Sequence, residues 1–369
     1  MTRAIHPAPE LAQLHDWRKN CFYPKADYPL PDPLLRSLRD GGGMAEVKRG
    51  QVEELCRAIV QVPGSACQVP GGTFHTVWKY QTIDDRTFYL RLNAIPEWMK
   101  DYPCLIDARV MEMLASSGLP FCRVVETDFS RTRLATDFTL MEEAPGVPLT
   151  RFDEDDTRLL PLLERLGWYF GHLHQHHAEG YGLIQIAATP EEQELAGCQR
   201  SWNDHLSCSL ENQLDICESQ GYLGLGARKE IRHIFADSQG LFAGQGSLLH
   251  GDPGNHNIYA EKDDISCLID WEDALVGDPI YDIAFWATFH PERRHAAFLA
   301  GYRSSGELPS DFLQRFWVYY LRIAIAKTVV RYRAGLSDRP GRVPAAYRIQ
   351  AAMKRLLVPA QISIQGFCL

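Results

Sequence analysis

The sequence predicts an α+β protein of two lobes, a small β-rich N-lobe followed by a larger, mostly helical C-lobe. Three observations lead there. The chain has 369 residues, more than one small domain of about 100–200 residues would need. Strand-like runs gather before residue 143, helical spacing dominates later, and the two textures meet at Ala144-Pro145-Gly146-Val147-Pro148. Hydrophobic residues make up 45% and charged residues 23%, the balance of a chain able to bury a core.

Residues 1–48 are rich in proline and charge and have little sustained periodicity. They read as an N-terminal extension packed on the surface of the two lobes. From Val52 to Val62 apolar positions recur at helical spacing, and Pro63-Gly64 stops the run. TVWKYQTI and TFYLRLN, joined by Asp84-Asp85-Arg86, predict a β-hairpin. Residues 105–116 have helical periodicity ended by Ser117-Gly118-Leu119-Pro120, and RVVETD and FTLMEEA read as two further strands. These elements define an N-lobe over 49–143. In the C-lobe, 144–369, the spacing predicts helices over 156–178, 201–217 and 227–237, a turn-rich segment over 247–283, and helical structure from 311 onward.

The net charge is −9 and no lysine or arginine block stands out, so nucleic acid and anionic membranes are not expected partners. Ten cysteines lie singly with no C-x-x-C pair, which reads as reduced thiols. The N-terminus has no apolar signal region, and the most apolar stretch, from Phe316, is interrupted by Arg322 and Lys327. A cytoplasmic protein, monomer or homodimer, is expected.

The informative stretch is LLHGDPGNHNIYAEKDDISCLIDWEDALVGDPIYDIAFW. Between Asn257 and Asp270 lie two short strand-like runs joined by Glu261-Lys262-Asp263-Asp264, a hairpin that would return both residues to one end, beside Asp252. That arrangement fits phosphoryl transfer, which needs Mg²⁺ across the phosphates and a carboxylate on the acceptor hydroxyl. Mg²⁺ takes hard oxygen ligands, which the Asp270 carboxylate and the Asn257 side-chain carbonyl supply. Asp252 is left as the base. The spacing matches the kinase pattern H-R-D-x-x-x-x-N followed by a metal aspartate.

HGDPGNHN followed by IDWEDALVGDPIYDIA resembles the aminoglycoside phosphotransferase and choline-kinase-like branch of the protein-kinase-like fold. That branch writes H-G/N-D-x-x-x-x-N, I-D-W/F-E and G-D-P-x-x-D-L-A, and here Ile283 replaces the leucine. The resemblance runs from about residue 52 to 335 and takes in Leu173-His174 and Gly180-Tyr181-Gly182. It implies Asp252 as base, His250 as a brace for its loop, and Asp278 and Asp282 as scaffolding. It puts Arg91 where the fold has a phosphate-binding strand lysine. Hygromycin phosphotransferase looks similar there, and guanidinium can bind phosphate bidentately. Aligning SSGLP with the family's T-G-V-P makes Asp107, not Glu112, the acid that pairs with Arg91. Gly71-Gly72 is the candidate phosphate-covering turn, although a glycine pair in a hairpin can be just a turn. Met141, Glu142 and Glu143 fall in the hinge whose backbone would bind the purine of ATP or GTP.

The expectation is therefore a small-molecule O-phosphotransferase that uses Mg²⁺ and a nucleoside triphosphate. Its acceptor would be an aminoglycoside-like or other antibiotic, favoured by the acidic balance and Glu272-Asp273, or else choline, homoserine or a sugar. The reading from another class is a nucleotide-binding pseudokinase. The histidines of HLHQHH, from His172, have no third ligand or H-E-x-x-H glutamate and do not read as a zinc site.

Overall fold

The computed structural model describes residues 18–27, 47–70, 75–93, 103–153, 156–185, 195–336 and 343–357. Gly71 and Gly72, the candidate phosphate-covering turn, lie outside the described residues.

Residues 18–27 end in a four-residue helix, α1 (Pro24–Asp27). Asp27 ties this segment together: its Oδ2 accepts from the backbone N–H of Phe22 at 2.8 Å and of Tyr23 at 3.1 Å. Phe22 is 1% exposed and packs under the Arg322 guanidinium, 3.5 Å from the ring centroid. Cys21 and Ala26 are buried with it in the core of the helical lobe. The expectation that the extension packs on the surface is thus corrected for 18–27. A buried piece this short, broken by Pro24, has too few residues for periodicity to reveal its inward face.

Helix α2 (Arg49–Val60) buries Val52, Leu55 and Cys56. It ends where Gln61 turns left-handed at φ 59° and donates to the Arg57 carbonyl, just before the Pro63-Gly64 stop. Five antiparallel strands follow, β1 (Gly64–Val69), β2 (His75–Thr82), β3 (Thr87–Asn93), β4 (Val124–Asp128) and β5 (Phe138–Glu142), with helix α3 (Pro103–Leu114) between β3 and β4. Their order is β1-β2-β3-β5-β4, so β3 is central. Alternation sets the faces: Trp78 and Tyr80 on β2 and Phe88, Leu90 and Leu92 on β3 are buried with the apolar face of α2. Cys104, Leu105, Val110 and Leu114 of α3 belong instead to the larger core of the helical lobe.

After the hinge, β6 (Val147–Pro148) pairs with β10 (Ile258–Glu261), which forms the expected hairpin with β11 (Asp264–Leu268). Gly146 stands at φ +84°, where an added Cβ would lie 2.1 Å from the Ala260 carbonyl oxygen. Only glycine allows this approach. Helix α4 (Leu159–Leu173) is shorter than the predicted 156–178, because the chain leaves it at His174, whose Nδ1 meets the Tyr302 hydroxyl at 2.9 Å. Strands β7 (Tyr181–Ile184), β8 (Gly197–Gln199), β9 (Ser247–Leu249) and β12 (Leu275–Gly277) make a four-stranded sheet.

The predicted helix over 201–217 is two, α5 (Trp202–Ser207) and α6 (Leu210–Ser219), separated where Ser209 adopts φ 55°. Helices α7 (Ala227–Asp237), α8 (Ile280–Ala287), α9 (His295–Arg303), α10 (Phe312–Arg333) and α11 (Ala345–Leu357) complete the lobe. Among the described residues no helix is long and apolar enough to cross a membrane. The architecture is the expected α+β one: a sheet-based N-terminal part and a helical C-terminal part.

Candidate active site

The loop between β9 and β10 carries His250, Asp252 and Asn257, and the residues after β11 carry Asp270, Glu272 and Asp273. Asp282, at the start of α8, holds the first of these loops by its backbone: Oδ2 accepts from His250 N–H at 2.6 Å and Oδ1 from Gly251 N–H at 3.0 Å. Gly251 has φ +81°, and a Cβ there would lie 1.9 Å from the Asp273 carbonyl oxygen, so the two acidic loops touch backbone to backbone. Asp278 does a different job, binding Arg315 and the Tyr319 hydroxyl on α10 at 2.9 and 2.7 Å.

His250 is fully buried. Burial pushes its imidazole below the usual histidine value despite the nearby Asp282 and Asp252. As the neutral ring, its Nε2–H donates to the Ile269 carbonyl (3.1 Å) and its Nδ1 accepts from Asp252 N–H (3.4 Å). It therefore joins the Asp252 loop to the chain just before Asp270. Asn257 Nδ2 donates to the Asp252 carbonyl at 3.0 Å, which commits its amide nitrogen and frees its side-chain oxygen for another partner. Asp270 is left-handed, with φ 69° and ψ 58°.

Arg91 reaches from the central strand β3 into this group. Its Nη1 lies 3.2 Å from Asp107 Oδ2, and its Nη2 lies 2.7 Å from Asp270 Oδ1 and also contacts Glu272. Asp107 is fully buried on α3, and its other oxygen accepts from Trp271 N–H at 2.7 Å. Burial raises its carboxyl to about 6, even with Arg91 beside it. Glu112, the alternative partner, is exposed. His75 contacts Glu272 from β2. Burial would raise Glu272, but His75, Lys25 and Arg91 together hold it well below the usual carboxylate value.

Lys25, on α1, is a residue that sequence reasoning missed. Its Nζ lies 2.5 Å from Asp273, 3.0 Å from Glu272 and 3.7 Å from Asp252. Burial would lower its pKa, and Asp273, Tyr23, Glu272 and Asp252 together more than offset this, keeping it charged. Burial would raise Asp252 in turn, and Lys25, then His256, hold it below its usual value, ionised at neutral pH. No motif surrounds Lys25. The available signal was Pro24 with Asp27, a short capped turn in an otherwise irregular stretch.

Of these groups, Lys25, His75, Arg91, Asp252, Asn257, Asp270 and Glu272 line a cavity of about 770 Å³ between the sheet and the helical lobe. Met141, Glu142 and Glu143 form one end of its wall, with Glu142 held by Arg123 at 2.8 Å and Glu143 by the Tyr89 hydroxyl at 3.2 Å. Phe289 and Lys327 lie at the helical end. Among the described residues no cluster of three His, Cys, Asp or Glu side chains is set to hold a metal alone. Asn257 and Asp270 offer the hard oxygen donors that a cation of the Mg²⁺ type would take, alongside phosphate oxygens and water.

The model of the phosphotransferase enzyme family matches residues 65–316. No curated protein matches the chain by sequence. Among solved structures the chain is similar to a thermostable mutant of aminoglycoside phosphotransferase APH(4)-Ia in ternary complex with ADP and hygromycin B. The identity is 18%, the match covers 82% of this chain and 98% of that one, and the TM-score is 0.60. It is also similar to macrolide 2'-phosphotransferase MphH from Brachybacterium faecium, at 19% identity over 83% and 97% of the two chains, with a TM-score of 0.54. At these identities the likeness shows the fold, whereas the family match spans most of the chain. The chain belongs to the phosphotransferase enzyme family and is a phosphotransferase acting on hydroxyl groups.

Proposed function

We propose that Asp252 orients and deprotonates the hydroxyl of a small-molecule acceptor, which attacks the γ-phosphorus of ATP or GTP in line. The bond to the bridging oxygen breaks, the nucleoside diphosphate leaves, and the hydroxyl proton passes to Asp252, with no phosphoenzyme. Arg91, braced by Asp107, binds the phosphates, and His250 fixes the loop that carries Asp252. Asn257 and Asp270 hold Mg²⁺, which when bound neutralises charge on the phosphates. The hinge backbone at Met141–Glu143 holds the purine, and Gly71-Gly72 covers the phosphates. In this reading residues 49–143 are the nucleotide lobe, 144–369 are the catalytic and acceptor lobe, and 1–48 lend Lys25 to the site. The supporting observation is the meeting of Asp252, Asn257, Asp270 and Arg91 on one cavity.

The acidic pair Glu272-Asp273, which the sequence offers as a ground for a cationic antibiotic, gives no such ground. Both side chains are buried and matched internally by Arg91, His75 and Lys25. The acceptor is a hydroxylated small molecule, antibiotic or metabolite. The test is nucleoside-diphosphate release with Mg-ATP and Mg-GTP across aminoglycosides, hygromycin B, choline, homoserine, sugars and sugar acids. Acceptor-dependent release, abolished in Asp252→Ala, is the expected result. Turnover that survives this substitution removes Asp252 from its role.

A further inference from the structure

The two lysines of the cavity differ in their surroundings. Lys25 sits among three carboxylates. Lys327, near the C-terminal end of α10, donates from Nζ to the Thr288 hydroxyl at 2.8 Å. The same nitrogen stands 3.2 Å from the centroid of the Phe289 ring and 4.3 Å from that of Phe285. Among the described residues no carboxylate lies within ion-pairing distance of it. Burial pushes its pKa well below the usual lysine value, with Asp252 opposing and Arg348, Arg331 and Lys25 adding to the fall. A lysine held by one hydroxyl and two ring faces has no counter-charge, and an anion brought beside it would favour its charged form and supply what the protein withholds.

The acids that line the same cavity are already engaged. Arg91 holds Asp270 and Glu272, Lys25 faces Asp252, Arg123 holds Glu142, and the Tyr89 hydroxyl donates to Glu143. Among the described residues, a polycationic acceptor would find no unengaged carboxylate in the cavity wall. An anionic one would find Lys327, which lines the same cavity as Asp252 and feels its charge.

We propose that the acceptor carries an anionic group, a carboxylate or a phosphate monoester, beside the hydroxyl that is phosphorylated, and that Lys327 with Phe289 selects it. This rests on the reading that Asp252 receives the acceptor hydroxyl. Lys327 is then a specificity residue: the anion fixes the distance between itself and the reacting hydroxyl. A neutral analogue of the same shape loses that anchor, and a polycation meets a like charge.

The experiment compares matched acceptors on the full-length protein with Mg-ATP: glycerol against glycerate and glycerol 3-phosphate, glucose against gluconate and glucose 6-phosphate, and kanamycin as the cationic arm. At least one anionic acceptor should exceed its neutral partner about tenfold or more in kcat/KM, which separates carboxylate from phosphate as the source. Lys327→Met should remove this preference by raising the acceptor KM, and Lys327→Arg should restore most of it. Binding of glycerate, gluconate and the two phosphates is also titrated by calorimetry with Mg-AMP-PNP bound, so that a slow or missing turnover leaves a readout. Loss of anion binding in Lys327→Met supports the proposal. Turnover of kanamycin in preference to every anion overturns it, as does anion binding that Lys327→Met leaves intact, or no anion binding to the native protein. If Lys327→Met weakens AMP-PNP itself instead, Lys327 serves the nucleotide phosphates and the proposal fails. Failure of the Asp252 reading is visible separately, as anion-selective turnover that persists in Asp252→Ala. Thr288→Val, which removes the hydroxyl partner but not the cation, guards against misfolding of the lysine variant and should keep the anion preference.

Discussion

The two ends of the cavity are built on opposite rules. Where the sheet meets the acidic loops, every charged side chain touches one of opposite sign: Arg91 touches Asp107, Asp270 and Glu272, and Lys25 touches Asp252, Glu272 and Asp273. At the helical end Lys327 rests on aromatic faces without a carboxylate partner among the described residues, and the buried His290 lies near enough to feel its charge. A matched cluster of buried charges fixes geometry, because removing one member strands the others. An unmatched charge leaves a preference open for whatever binds there. The first end suits the step common to all phosphoryl transfers, and the second suits the choice of acceptor.

Four measurements would break or sharpen that contrast. Asp252→Ala strikes the matched end at the reacting hydroxyl and should lower kcat by about 10³-fold, while AMP-PNP binding measured by calorimetry stays within a few-fold. A loss confined to nucleotide binding would move Asp252 out of the acceptor's reach. Arg91→Met strands Asp107 and Glu272 in the interior and should cost about 3 kcal/mol of unfolding free energy in denaturant titration. A near-neutral result would show that His75 and Lys25 suffice to hold the cluster.

The unmatched end should lose stability in acid as a salt-bridged carboxylate does, but through histidines that are buried neutral. Burial lowers His290 to about 3 and His295 to about 4. Between those values and about 6.5 the unfolded chain binds protons that the folded chain does not. Stability is therefore complete above about pH 6.5 and falls as pH drops, by about 1 kcal/mol per histidine for each unit. Denaturant midpoints at pH 7 and pH 5 for the native protein and His290→Asn measure this. A pH-independent difference between the two would remove His290 from the account.

Lys25→Met should have the smallest effect on the matched end, about tenfold in kcat, with partial recovery in Lys25→Arg. Its loss leaves Asp252, Glu272 and Asp273 facing one another, though Arg91 and His75 still hold Glu272. A variant as active as the native protein would make α1 a packing element alone.

The chemical end was legible in the sequence to an unusual depth because its residues are close neighbours along the chain. His250, Asp252, Asn257 and Asp270 fall within one loop and one hairpin, so local spacing alone brings them together. Arg91 and Asp107 were within reach because the family resemblance pointed to them on the strand and helix that periodicity located, β3 and α3. Lys25 was not, since its three carboxylate partners lie more than 200 residues away and a proline-broken turn carries no periodicity. The break at Ser209 was hidden for the opposite reason: helical spacing continues across it, and only the left-handed backbone there parts α5 from α6. The pairing of Glu272 and Asp273 was equally hidden, because a sequence shows two adjacent acids and not the cations that arrive from β2, β3 and α1.

By itself the sequence determined that this is a two-lobed phosphotransferase and which residues could do its chemistry. That chemistry is written as short-range motifs, whose spacing a loop and a hairpin convert directly into geometry. Tertiary structure alone decided which charges are spent on one another and which is left for a ligand, since compensation in a buried site depends on distances between segments that are remote in the chain.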